Sequence, residues 1–271
     1  MTQADRPAGV VAVSGAGGGV GRELTTALVG QGATVVGLDI DAAALERLSR
    51  ALGPSLIPVV GDATTADAND EMAQRCREIG ALDGLVCCVG IFDQYCSLTA
   101  LTGGQLDSAF AEIFDTNVRS ALHAVRACAP GLRESRGAIV LTLSGSAFHS
   151  EGGGVLYGST KGALRGALLH LARELAPDVR VNAVAPGGIS GSATGGLRSI
   201  GQHPMSAQNP ERDARLLRRS PLGLLTAAED VVASYLFLLG AGSDSMTGRT
   251  LHPDGGLMLP APEYTHEHPI G

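Results

Sequence analysis

Ser14-Gly15-Ala16-Gly17-Gly18-Gly19-Val20-Gly21 decides how this chain folds. The apolar residues 10–13 run into it as a strand, and a helix-forming stretch follows it to about residue 29. Glycines in such a turn let the chain reverse tightly and let backbone N–H groups approach an anion. The partial positive charge at the helix start then favours a phosphate there. A glycine-rich turn alone says little, but the next apolar run, 34–38, closes on Asp39, 18 residues beyond Gly21. A carboxylate at the end of a second strand suits the two ribose hydroxyls of a dinucleotide. It would repel the additional phosphate of NADP. No basic residue lies between Gly15 and Gly21, and Ile40 follows the acid, so NAD is the expected cofactor. Asp62, ending the third apolar run, suits the adenine amino group and serves equally as a turn residue.

Outward from this turn, apolar strands and amphipathic helices alternate. Strands are expected over 10–13, 34–38, 56–60, 84–89, 138–143, 179–184 and 250–251. Helices are expected from the glycine turn to about 29, over 42–52 with Asp41 as cap, to about 79, and over 105–132, 157–175 and 228–239. Residues 187–210, rich in Gly, Ser and Pro, read as a loop. Continuous apolar strands separated by helices imply a parallel sheet covered on both faces. The fold class is α/β, a doubly wound parallel sheet of Rossmann type, in one domain spanning 1–271.

Composition narrows the partners. Aromatic content of 3% within 44% hydrophobic residues makes the core aliphatic, and a net charge of −7 offers no footprint for nucleic acid. Arg212, Arg215, Arg218 and Arg219 read as a solvated helix face; the competing reading is a segment that contacts an anionic ligand. No apolar run approaches the roughly 20 residues of a membrane span, and Met1 to Val13 lacks the apolar core of a signal peptide. A cytoplasmic protein without membrane partners is expected. Cys76, Cys87, Cys88, Cys96 and Cys128 include no CxxC pair and read as reduced small hydrophobes. No metal is expected, and His266 and His268 read as a polar tail.

Of 20 Lys+Arg, one is a lysine, Lys161, four residues after Tyr157. Compositional drift toward arginine does not explain the survivor, since a guanidinium and a compact ammonium differ wherever geometry is tight. On a helix the two side chains share a face. A neighbouring cation is expected to lower the phenol pKa from its usual value of about 10, making a general acid/base for an alcohol oxygen.

With Tyr157-Gly158-Ser159-Thr160-Lys161 beside SGAGGGVG, the chain resembles the short-chain dehydrogenase/reductase family over nearly its whole length. Ser144 stands 13 residues before Tyr157, where that family has its substrate-binding serine. Asp115-Thr116-Asn117-Val118 matches the family's helix asparagine, which holds a proton-relay water. Pro186-Gly187-Gly188-Ile189 matches the loop that seats the nicotinamide, and Thr247-Gly248 with Asp254-Gly255-Gly256 matches the carboxy-terminal signature. The resemblance implies catalysis by Ser144, Tyr157, Lys161 and Asn117. It implies NAD contacts from Gly15, Gly19, Gly21, Asp39, Asp62, Gly90, Tyr157, Lys161, Pro186, Gly187 and Ile189. It also implies a homotetramer and a substrate loop over about 188–220. One departure is Cys87-Cys88-Val89-Gly90 in place of Asn-Asn-Ala-Gly, which removes an amide that braces the fourth strand.

Within the family the likeness is to bacterial aromatic cis-dihydrodiol dehydrogenases, which oxidise a ring cis-diol to a catechol with NAD. It rests on Gly152-Gly153-Gly154-Val155-Leu156-Tyr157, on the run from Glu174 to Asn182, on Gly187-Gly188-Ile189, on the run from His123 to Cys128, and on His268-Pro269. Gly145 stands where those enzymes carry an asparagine that helps hold the diol. A wider, less polar pocket is therefore expected, with another cyclic or apolar secondary alcohol as the alternative substrate. A 3-oxoacyl-type reductase would share the catalytic residues but usually works with NADPH, against Asp39. A nucleotide-sensing scaffold would be expected to have lost Ser144, Tyr157 or Lys161, and all three are present.

Overall fold

The computed structural model describes residues 9–191 and 195–259. Residues 192–194 of the expected substrate loop lie outside the described residues, as do His266, His268 and Pro269. Seven strands form one sheet: β1 (Val10–Ser14), β2 (Thr34–Asp39), β3 (Leu56–Val60), β4 (Leu82–Cys87), β5 (Ala138–Thr142), β6 (Arg180–Val184) and β7 (Thr250–Leu251). Their order is β3-β2-β1-β4-β5-β6-β7, and every pairing is parallel. The helices are α1 (Gly19–Gly30), α2 (Ala42–Leu52), α3 (Ala66–Ile79), α4 (Gly103–Phe114), α5 (Ser120–Ser135), α6 (Val155–Glu174), α7 (Pro210–Arg219) and α8 (Ala228–Leu239).

Side chains alternate across a strand, so each strand feeds two cores. Val11 and Val13 of β1 pack with Leu24 and Leu28 of α1, Leu45 of α2, and Val231 and Tyr235 of α8. Val10 and Ala12 face Met72 of α3, Ala124 and Cys128 of α5, and Leu164 and Leu168 of α6. The doubly wound sheet expected from the sequence is the one observed. Asp41 caps α2 by accepting from Ala44 N at 2.9 Å, and Thr102 forms a capping box with Gln105 on α4.

Most bounds shift by no more than two residues, and two departures from expectation shape the site. The helix expected over 105–132 is α4 and α5 joined by a π-helical stretch, Asp115–Arg119, in which the helix widens without breaking. The fourth strand starts and ends two residues early, because the chain leaves the sheet after Cys87 to build one wall of a crevice. No helix among the described residues is long and apolar enough to cross a membrane.

Candidate active site

Adjacent strands β1 and β4 send the chain to opposite faces of the sheet, so a crevice opens at their carboxyl ends. The crevice is a cavity of about 1790 Å³. Its walls come from the β1–α1 turn, the segments after β4, β5 and β6, the first turns of α6, helix α7 and residues 257–259.

The turn folds as its glycines require. Gly15 and Ala16 donate to Leu38 O at 2.7 and 3.2 Å. Gly15 has φ of +79°, and a Cβ there would sit 3.0 Å from the Cys88 carbonyl carbon. A Cβ on Gly21 would sit 1.9 Å from Gly15 O. Gly21 is buried behind the turn and serves the site by letting α1 pack close, a correction to its expected role as a cavity contact. Helix α1 has neither a side-chain cap nor an acid in its first turn, so its leading N–H groups are left for an anion in the cavity. Asp39 lines the same cavity; its Oδ2 accepts from Gly17 N at 2.8 Å and its Oδ1 from Asp41 N at 2.9 Å. Each oxygen keeps accepting capacity. An uncapped helix start without Cβ atoms, beside a fixed carboxylate, fits a dinucleotide. Asp62 sits exposed at the rim, its Oδ1 accepting from Thr64 N at 2.8 Å. Gly19, Gly90, Pro186, Gly187 and Ile189 also line the cavity.

The reacting half lies across from it. Tyr157 stands in the first turn of α6 and Lys161 one turn later, with the ammonium 5.6 Å from the phenol ring centroid. Lys161 Nζ donates to Thr142 O at 3.0 Å, and the Ser144 hydroxyl hydrogen-bonds the Tyr157 phenol. Burial pushes the phenol up to about 12, against the Ser144 hydrogen bond, while the charge of Asp93 reinforces the rise. Burial also lowers the Lys161 ammonium to about 8, with Cys88 acting in the opposite sense. The expectation that Lys161 depresses the Tyr157 pKa is thus corrected: the ammonium is held toward the Thr142 carbonyl, and loss of hydration dominates both groups. Burial likewise raises Cys87 to about 12 and Cys88 to about 11, so both stay thiols and pack as small hydrophobes.

Asn117 projects from the π-helical stretch but does not line the cavity. Its Oδ1 accepts from Ile91 N at 2.7 Å, and its Nδ2 donates to Ile91 O at 3.0 Å and Thr160 Oγ1 at 3.1 Å. Both amide hydrogens are used, so this side chain braces the chain at Ile91 and Thr160 beside the cavity.

Three contributors escape sequence reasoning. Asp93 is fully buried; its Oδ1 accepts from Gly154 N at 2.8 Å and its Oδ2 from Tyr157 N at 2.9 Å. It caps α6, which has no side-chain cap of its own, from 61 and 64 residues away. Phe92 packs edge-on against the Tyr157 ring at 5.0 Å. Met258 lies where a Cβ on Gly145 would come within 3.0 Å of its sulfur. The expected wider pocket at Gly145 is therefore filled by a thioether, and only the loss of polarity stands.

Comparison with known proteins agrees with this geometry. The family model described as "Enoyl-(Acyl carrier protein) reductase" matches residues 15–258. Cis-1,2-dihydrobenzene-1,2-diol dehydrogenase of Pseudomonas putida is 37% identical over 92% of this chain and 91% of its own. The 3-phenylpropionate-dihydrodiol/cinnamic acid-dihydrodiol dehydrogenase of Escherichia coli O7:K1 is 33% identical over 91% of this chain and 92% of its own. A 3-oxoacyl-[acyl-carrier protein] reductase with bound NAD from Brucella melitensis superposes with a TM-score of 0.79 at 27% identity, covering 93% of this chain and 92% of that one.

Proposed function

Since the chain belongs to the short-chain dehydrogenase/reductase family, oxidoreductases of CH–OH groups that work with a nicotinamide cofactor, we propose that it oxidises a cyclic cis-dihydrodiol to a catechol with NAD. The observation that carries this reading is the meeting, in one cavity, of the Ser144–Tyr157–Lys161 cluster with the Asp39 carboxylate.

A bound nicotinamide would supply the hydride acceptor. Gly15, Gly17 and the leading N–H groups of α1 would take the pyrophosphate, and Asp39 the adenosine ribose hydroxyls. A second phosphate on that ribose would meet the carboxylate, which favours NAD over NADP. Pro186, Gly187 and Ile189 would seat the nicotinamide end, and Gly90 lies opposite them. Ser144 Oγ would hold the reacting oxygen within reach of Tyr157, whose phenolate form would take the alcohol proton in the oxidising direction. Lys161 keeps a positive charge below that phenol, and Asn117 holds the neighbouring wall through Ile91 and Thr160. Met258 over Gly145 makes the floor under the ring apolar, which suits an aromatic-derived substrate. A homotetramer is proposed on the family resemblance and on the frequency of closed symmetric assembly; one NAD-binding domain with its substrate loop over about 188–220 completes the reading.

The test is the initial rate of cofactor reduction with cis-1,2-dihydrobenzene-1,2-diol, run with NAD and NADP in parallel. NAD-dependent formation of catechol is expected. NAD binding without turnover would remove the dihydrodiol and leave another cyclic secondary alcohol.

A further inference from the structure

The charge of this protein is unevenly spent. A chain of net charge −7 with 20 cationic residues places four arginines on the ten-residue helix α7, and all four line the cavity. Among the described residues, Arg219 alone of these four pairs with a carboxylate, that of Glu151 across the mouth. The other nearby acids are engaged elsewhere. Glu112 accepts from the N–H groups of Arg198 and Ser199 and from the Ser199 hydroxyl, and Asp213 Oδ2 accepts from the Ser190 hydroxyl at 2.8 Å. Arg212 Nη1 is buried without a hydrogen-bond partner, a state in which a charged donor requires an acceptor.

The placement of Arg215 gives direction to this charge. Its guanidinium lies 5.8 Å from the centroid of Tyr95, Tyr95 packs on Phe92 at 5.3 Å, and Phe92 packs on Tyr157 at 5.0 Å. An aromatic wall thus leads from the reacting phenol to a cation. The acids Asp39, Asp41 and Asp62 line the adenosine part of the cavity, so the arginine face belongs to the substrate part.

We propose that α7 carries a recognition subsite for an anionic substituent: a carboxylate on a short chain extending from the substrate ring, bound by Arg215 and Arg212. The planar guanidinium fork matches a carboxylate, and the apolar body of the substrate lies along Phe92 and Tyr95. This rests on the reading that Ser144 and Tyr157 mark the reacting end.

Binding tests the subsite without turnover. Titrating the NAD-loaded protein with 3-phenylpropionate and with its neutral amide is expected to show the acid bound about tenfold more tightly. In the Arg212→Gln, Arg215→Gln double variant the ratio is expected to fall to within about twofold, as removal of both forks predicts. Equal binding of acid and amide overturns the proposal, as does a ratio that survives the substitutions. Loss of NAD affinity with an unchanged ratio also overturns it, and assigns the arginines to the cofactor. In parallel, kcat/KM is compared between the cis-dihydrodiol of 3-phenylpropionate and cis-1,2-dihydrobenzene-1,2-diol. Acid–amide discrimination with no turnover of either diol sinks the dihydrodiol reading and keeps the subsite. Turnover of both diols without discrimination does the reverse.

Discussion

Burial sets the behaviour of the two titratable groups on α6. With the Lys161 ammonium lowered from its ordinary 10.5 to about 8, keeping it charged opposes folding at neutral pH. Between these values the unfolded chain binds more protons than the folded one, so the penalty fades as pH rises and vanishes once both states are neutral. Lys161→Met is therefore expected to raise the unfolding temperature of the cofactor-free protein at pH 7 by about 5 °C, even after losing the bond to Thr142 O. The difference should shrink steadily toward pH 10; a variant less stable than its parent at pH 7 would contradict the burial argument. Tyr157→Phe is expected to cut turnover by about a thousandfold while NAD titrates with nearly unchanged affinity. Because the phenol is raised to about 12, its base form is scarce at neutrality. The oxidation rate, kcat/KM, is expected to rise with pH between about 6 and 8; a flat profile would remove Tyr157 from the proton step.

At the level of elements, the strands and the glycine turn were open to sequence reading because local signals define them. Residues 42–52, 56–60, 228–239 and 250–251 are observed with the expected bounds. The joint between α4 and α5 was hidden, since a π-helical turn leaves the apolar period nearly unbroken. The cap of α6 was hidden for a different reason. Sequence rules look for a capping side chain within a few residues, whereas Asp93 reaches Gly154 and Tyr157 from 61 and 64 residues away. The side of α7 that faces the cavity was equally invisible, although its four arginines were plain. Asp93→Ala leaves the buried N–H groups of Gly154 and Tyr157 unpaired and is expected to destabilise the fold by about 3 kcal/mol. It should lower kcat for the diol far more than it weakens NAD; an equal loss in both would make Asp93 a general support and not a positioning residue for Tyr157.

Across the whole molecule, one crevice joins groups contributed by nearly every connection at the carboxyl end of the sheet. A ligand spanning it ties both cores together and stabilises by mass action, by about 2.7 kcal/mol at 100-fold excess over Kd. NAD is expected to raise the unfolding temperature more than NADP at equal concentration, and Asp39→Ala to abolish that difference; a difference that persists would displace Asp39 from the ribose. The position of Met258 also has a consequence in time. The glycine turn and Asp39 are made early, but the sulfur that floors the pocket at Gly145 belongs to residue 258. Chains are synthesised at about 5–20 residues per second and domains fold as units, so the interval between residues 21 and 258 amounts to roughly 10–50 s of synthesis. Throughout that interval the glycine turn lacks Val231 and Tyr235 of α8, which complete the core beneath it, as well as the sulfur that floors the pocket. The two halves of the site are therefore completed late and close together along the chain, so cofactor pocket and substrate floor arise as one unit.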